Sequence, residues 1–212
     1  MTSEAHQTAA QASRVYAEHF ITEGDAARQA RAAAGRLGLT AVTSGAAQTL
    51  TVLARLIAAK AAVEIGTGAG VASLALLQGM DPQGILTSID SEADHQQAAR
   101  SILAQAGYRP RLIAGRALEV LPRLSDGAYD IVFADAEPLE AGEYVEQALR
   151  LLRSGGVFAL YHALLDDTVA QLDNLDDETL IVRETLEAVR DMDGVLPVLL
   201  PIGDGLLVLV KA

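Results

Sequence analysis

The stretch Val63-Glu64-Ile65-Gly66-Thr67-Gly68-Ala69-Gly70 decides the fold. A short apolar run from Ala61 to Ile65 ends in a G-x-G-x-G turn, and Val71 to Gln78 then follow a helical pattern. Glycine lets a chain turn sharply from strand into helix and lets a ligand approach the main chain closely. The alternation continues downstream. Gly84–Ile89, Arg111–Ala114, Tyr129–Ala134 and Val157–Tyr161 read as further strands. Helical stretches at Ala93–Ala106, up to Leu121, and at Ala141–Leu152 separate them. Strands and helices in this rhythm predict a parallel sheet covered by helices on both faces. After a helix near Glu178–Arg190, two apolar runs, Leu196–Ile202 and Leu206–Lys211, are joined by Gly203-Asp204-Gly205. That is a hairpin signal, so the last strand is expected to run antiparallel. The expectation is an α/β fold with a mainly parallel seven-stranded sheet and a C-terminal antiparallel hairpin. Upstream, residues 12 to 58 read as helical, with breaks near Gly35–Thr40 and at Thr43–Gly45. The chain thus divides into a helical segment, 1–58, and a sheet domain, 59–212.

Composition narrows the class. The 212 residues suit one α/β domain with a sizeable core. No apolar run approaches the ~18–20 residues that span a bilayer, and Met1 to Phe20 lacks the layout of a secretory signal. There is no cysteine, which excludes disulfides and thiolate metal sites. These features place the protein in the cytoplasm, without a membrane partner. The net charge of −12 argues against a nucleic-acid partner, because the densest basic pair is only Arg109/Arg111.

The glycine turn can be read further from its surroundings. Asp90 ends the second strand, where a carboxylate can accept both hydroxyls of a ribose. The turn is G-x-G-x-G rather than the dinucleotide pattern G-x-G-x-x-G, and Glu64 stands just ahead of it. A carboxylate there is unfavourable beside a pyrophosphate and tolerable beside a ligand carrying an ammonium and a sulfonium. The local reading therefore favours S-adenosylmethionine over a nicotinamide dinucleotide.

From Val63 onward the chain resembles the O-methyltransferase family that includes the catechol and caffeoyl-CoA enzymes. The 63–70 turn resembles the family's VEIGTGxG segment, and Leu86-Thr87-Ser88-Ile89-Asp90 its second strand and ribose-binding acid. Gly115-Arg116-Ala117-Leu118-Glu119-Val120-Leu121-Pro122 resembles the segment bordering the adenine. Tyr129 to Ala136 resembles the YDLVFIDA strand, and Leu151 to Gly156 and Pro201 to Gly205 match the LLRPGG and PLGDG segments. The resemblance implies a Rossmann-like class I methyltransferase, with residues 1–58 as a cap and dimerisation segment of a homodimer. It also implies cofactor contacts at Val42, Glu64, Gly66, Thr67, Asp90, Ala117 and Asp135. Gly68 and Gly70 shape the turn; Ala72 stands where relatives often carry a hydroxyl, with Ser73 beside it.

The departures from that family concern the chemistry. Its metal-dependent members hold a divalent cation with an Asp after the fourth strand and an Asp-Asn pair after the fifth, and use a lysine in a D-A-D-K segment. Asp135 matches the first position and is the sole retained metal candidate. Tyr161-His162 stand in place of the Asp-Asn pair, and Pro138 in place of the lysine. Phenol is a poor ligand for magnesium, so a divalent metal is doubtful. Methyl transfer from a sulfonium needs proximity, alignment and a deprotonated nucleophile. His162 is then the candidate base, Asp135 the group that orients it, and Tyr161 the third catalytic candidate. His95 is expected on the exposed side of its helix, and Tyr144 against the sheet.

The expected function is S-adenosylmethionine-dependent O-methyl transfer to a hydroxyl of a small-molecule acceptor, without magnesium. The alternatives are a cofactor-binding protein that has lost chemistry, a tRNA-modifying methyltransferase and a nicotinamide-dependent oxidoreductase.

Overall fold

The computed structural model describes the backbone of residues 3–212 and side chains from residue 11 onward. Met1, Thr2 and the side chains up to Ala10 of the 1–58 segment lie outside the described residues. Three helices come first, α1 (Ser3–Glu18), α2 (Asp25–Arg36) and α3 (Ser44–Leu56). Strands and helices then alternate through β1 (Ala61–Ile65), α4 (Val71–Gly79), β2 (Ile85–Asp90), α5 (Ala93–Gln105) and β3 (Arg111–Ala114). They continue through α6 (Ala117–Val120), β4 (Tyr129–Ala134), α7 (Ala141–Leu151), β5 (Leu152–Tyr161), α8 (Asp177–Arg190), β6 (Val195–Leu200) and β7 (Leu206–Lys211). The sheet order is β3-β2-β1-β4-β5-β7-β6. β7 alone runs opposite to the other six strands, as the hairpin signal implies.

Side-chain alternation explains why both faces are covered. Val63 and Ile65 of β1 join one core with Val132 and Ala134 of β4 and Phe158 of β5, beneath α7 and α8. Ala62, Ile131, Phe133 and Ala159 point the other way, into a core shared with α2, α3 and α4. Central strands buried on both faces read as continuous apolar runs. Helix α4 is buried nearly all round, because α3 packs on its outer side. A Cβ on Gly79 would stand 2.2 Å from the Thr51 carbonyl of α3, so only glycine permits that approach.

The expected break near Gly35–Thr40 separates α2 from α3, but the other upstream breaks differ from expectation. One falls at residues 19–24, and Thr43-Ser44-Gly45 starts a helix instead of interrupting one. Thr43 is the N-cap of α3, its hydroxyl accepting from the Ala46 amide at 3.3 Å. A Ser/Thr/Gly cluster reads as a loop in a sequence, yet a Thr before a helical run equally satisfies the orphan donors of a helix start. No helix among the described residues is long and apolar enough to cross a membrane.

Candidate active site

The carboxyl ends of β1, β2 and β4 open into a cavity of about 660 Å³, a size suited to a small ligand. Gly66, Thr67, Gly68, Ala72, Asp90, Ala117 and Asp135 line it, together with Val42 from the loop before α3. That loop is pinned by Arg31, whose guanidinium donates to the Val42 carbonyl at 2.5 Å and to both Glu23 carboxylate oxygens at 2.7 Å. At Gly66, φ is +88°, and a Cβ there would stand 1.9 Å from the Asp135 carbonyl oxygen. The turn therefore lies directly against the end of β4. Gly70 does not line the cavity; it packs on Ala99 of α5.

Asp90 points its carboxylate back at the turn. Its Oδ2 accepts from the Gly68 amide at 2.9 Å, and its Oδ1 from the Glu92 amide at 2.8 Å. His95 stands beside it, with Nδ1 3.2 Å from Oδ1. Contrary to the expectation of an exposed helix face, His95 lines the cavity, with a side chain only 19% exposed. Its place five residues beyond Asp90, on the first turn of α5, is the sequence signal that could have found it.

Glu64 and Ser73 sit beneath the turn, both fully buried and outside the cavity lining. Ser73 donates to Glu64 Oε2, while Oε1 has no partner. Burial pushes the Glu64 carboxyl up to about 8, against the opposing pull of the Ser73 hydrogen bond and the nearby Ser88 hydroxyl. Thr67 and Ser88 hydroxyls meet at 2.6 Å in the same polar layer.

The ends of β4 and β5 bring Asp135 and His162 together, as their adjacency predicts. His162 Nε2 lies 3.3 Å from Asp135 Oδ1. The opposite ring nitrogen, Nδ1, lies 2.6 Å from Asp204 Oδ2. Asp204 belongs to the turn between β6 and β7, where its sequence context signals a hairpin and the PLGDG segment but no role at the site. Burial alone would lower the His162 pKa, but the two carboxylates outweigh it and hold the imidazole at about 9. His162 takes a left-handed φ of 58°, which the hydrogen bonds of Ala163 and Leu164 to the Gly205 and Asp204 carbonyls enforce. Tyr161 is buried, and its hydroxyl accepts from the amides of Thr43 at 3.3 Å and Asp204 at 3.4 Å. His162 and Asp204 also line a second cavity, of about 1110 Å³, between α1, α3 and the β6–β7 turn. Thr40 and Ala41 line both this cavity and the first.

A family model described as O-methyltransferase matches residues 16–212. The chain belongs to the O-methyltransferase family. It is 44% identical over 207 residues to a Mycolicibacterium smegmatis protein named "Putative O-methyltransferase", covering 96% of this chain and 99% of that one. A Corynebacterium glutamicum crystal structure shares 35% identity with a TM-score of 0.89, covering 96% and 97% of the two chains. The O-methyltransferase TomG of Streptomyces achromogenes, solved with S-adenosylmethionine and involved in tomaymycin synthesis, shares 29% identity. Its TM-score is 0.84, over 93% and 94% of the chains.

Within this O-methyltransferase the residues at the family's metal positions do not fit a hard divalent cation. Both His162 ring nitrogens face carboxylates, and the Tyr161 hydroxyl is taken up by two amides. Burial also pushes the Tyr161 phenol up, so it stays protonated and a poor metal ligand.

Proposed function

We propose that this chain methylates a hydroxyl of a small-molecule acceptor, using S-adenosylmethionine and no divalent cation. The observation that carries the reading is the Asp135–His162–Asp204 chain, set where the cofactor-sized cavity meets the second one. The Asp90 carboxylate, the main chain at Gly66 and Gly68, and the open turn fit a ribose-bearing ligand with close backbone approach. Ala117 is assigned to the adenine border and Val42 to the methionine part. Glu64, Thr67, Gly70, Ala72 and Ser73 form the turn and its support. When bound, S-adenosylmethionine supplies an electrophilic methyl group that needs no further activation.

The residues then have only the acceptor's proton to manage. Asp204 accepts from Nδ1–H of His162, so the proton given up when the ring becomes a base is the Nε2–H that faces Asp135, and the lone pair appears on Nε2. That nitrogen takes the hydroxyl proton and leaves the oxygen its electron pair for the methyl group, whose bonding pair to sulfur would depart with S-adenosylhomocysteine. Asp135 and Asp204 hold the resulting imidazolium. Tyr161 acts by position, steadying the Asp204 amide. Residues 1–58 serve as cap and dimerisation segment, in a cytoplasmic homodimer. The net charge of −12 and the scattered arginines support a small-molecule acceptor over RNA.

Calorimetric titration with S-adenosylhomocysteine, in EDTA and again with magnesium, tests this reading. Saturable binding equal in both buffers is expected. No binding would overturn the cofactor assignment, and magnesium-strengthened binding would overturn the metal-free one. A cofactor-binding protein without chemistry is the second reading, favoured by Pro138 where the family's lysine is expected. Turnover on a panel of phenols and hydroxamates, read as S-adenosylhomocysteine release, would dismiss it.

A further inference from the structure

Asp90 receives more donors than a ribose-binding carboxylate needs for its own placement. Two backbone amides, Gly68 on Oδ2 and Glu92 on Oδ1, fix one edge of each oxygen. The His95 ring closes the set, with Nδ1 3.2 Å from Oδ1 and 3.4 Å from Oδ2. Its own helix holds His95 there independently of Asp90. Gln96 donates to the Ile113 carbonyl of β3 at 2.7 Å, and Ala99 packs against Gly70. Asp90 and His95 both line the cofactor cavity, with side chains 9% and 19% exposed. A carboxylate held only by two amides can still rock about its last torsion. A third donor facing both oxygens restricts that torsion and fixes the plane in which the carboxylate stands at the cavity.

Resting on the cofactor reading above, we propose that His95 is a positioning residue for the ribose. It locks the Asp90 carboxylate in the orientation that receives the two hydroxyls, and it acts on affinity only through Asp90. The imidazole contributes as a hydrogen-bond donor, so Asn, whose amide nitrogen can occupy the place of Nδ1, can substitute for it.

The test is a double-mutant cycle on the full chain, with S-adenosylhomocysteine as the probe in calorimetry. His95→Ala is expected to raise Kd about tenfold, and His95→Asn to restore most of the loss. Asp90→Ala is expected to weaken binding more, and the double variant to bind no more weakly than Asp90→Ala alone. The unfolding midpoint without ligand should be unchanged in His95→Ala, whereas the stabilisation by saturating probe should shrink. Unaltered affinity in His95→Ala, or losses that add in the double variant, would overturn the proposal alone. A lowered ligand-free midpoint that accounts for the affinity loss would assign His95 a structural role and overturn it equally. If the native chain fails to bind the probe, the cofactor assignment falls and this proposal with it.

Discussion

His162 has a carboxylate against each ring nitrogen, and its pKa of about 9 makes it an imidazolium through the neutral range. A base must be neutral, so methyl transfer should speed up about tenfold per pH unit below 9 and level off above it. Initial rates from pH 6 to 10.5 on any turned-over phenol check this; a flat profile would remove His162 from the proton's path. His162→Ala should lower kcat by about 10²–10⁴-fold while leaving S-adenosylhomocysteine affinity intact. The same shift carries a stability consequence. A histidine with a raised folded pKa contributes stability fully present below its unfolded value of 6.5 and lost as pH rises through about 9. Glu64 acts in the same sense, since its folded pKa of about 8 exceeds the ordinary 4.5. Its share of stability declines between those values, because the unfolded chain ionises the carboxyl while the folded state keeps it protonated. The unfolding midpoint should therefore fall from pH 6.5 to 9, and Glu64→Gln should flatten the decline, as scanning calorimetry at stepped pH would record. Asp90 was legible in the sequence from its place at the end of the second strand, whereas Glu64, read there as a cofactor contact, is buried outside the cavity lining. The Asp204 partnership was not legible, because it joins residues 42 positions apart through the end of a hairpin.

At the scale of elements, α1 rests on a few polar contacts. The Glu18 carboxylate accepts from the Gly45 amide at 2.6 Å, the Thr43 hydroxyl at 3.1 Å and the Gly203 amide at 3.0 Å. It thereby ties α1 to the start of α3 and to the turn that carries Asp204. Val15, Tyr16 and Phe20 nearby are largely exposed, so little apolar burial supports the helix among its described side chains. Glu18→Ala removes one charged acceptor from three donors and should cost about 1–3 kcal/mol locally. Faster amide exchange confined to α1, the start of α3 and the 201–205 turn is the expected outcome; an unchanged exchange pattern would show that α1 is held otherwise. The number and type of the sheet elements were legible from the alternation of apolar runs and helical stretches. The start of α3 was not, since Thr43-Ser44-Gly45 supports either a break or a cap until a packing surface on α4 selects the cap.

For the whole molecule, the edge strand β6 is the conspicuous surface. Leu196, Val198 and Leu199 are 71%, 48% and 42% exposed, and the strand pairs only with β7. An apolar edge strand invites pairing or cover. With a homodimer expected through residues 1–58, light scattering should return twice the chain mass of 22.2 kDa, and Val52→Glu with Leu56→Glu, two exposed apolar residues of that segment, should shift it to one. A monomeric native chain would dismiss the dimer. The sequence by itself determined the class of fold, the place of the cofactor turn and the acid at the end of β2. Those features are local: a strand's period, a glycine's freedom and a carboxylate's position all lie within a few residues of one another. Only the tertiary structure decided how His162 is charged, that His95 faces Asp90, and that the β6–β7 turn closes on the site. Each of these depends on which distant backbone ends the sheet order brings within a hydrogen bond's length, and that order follows from burying two faces at once.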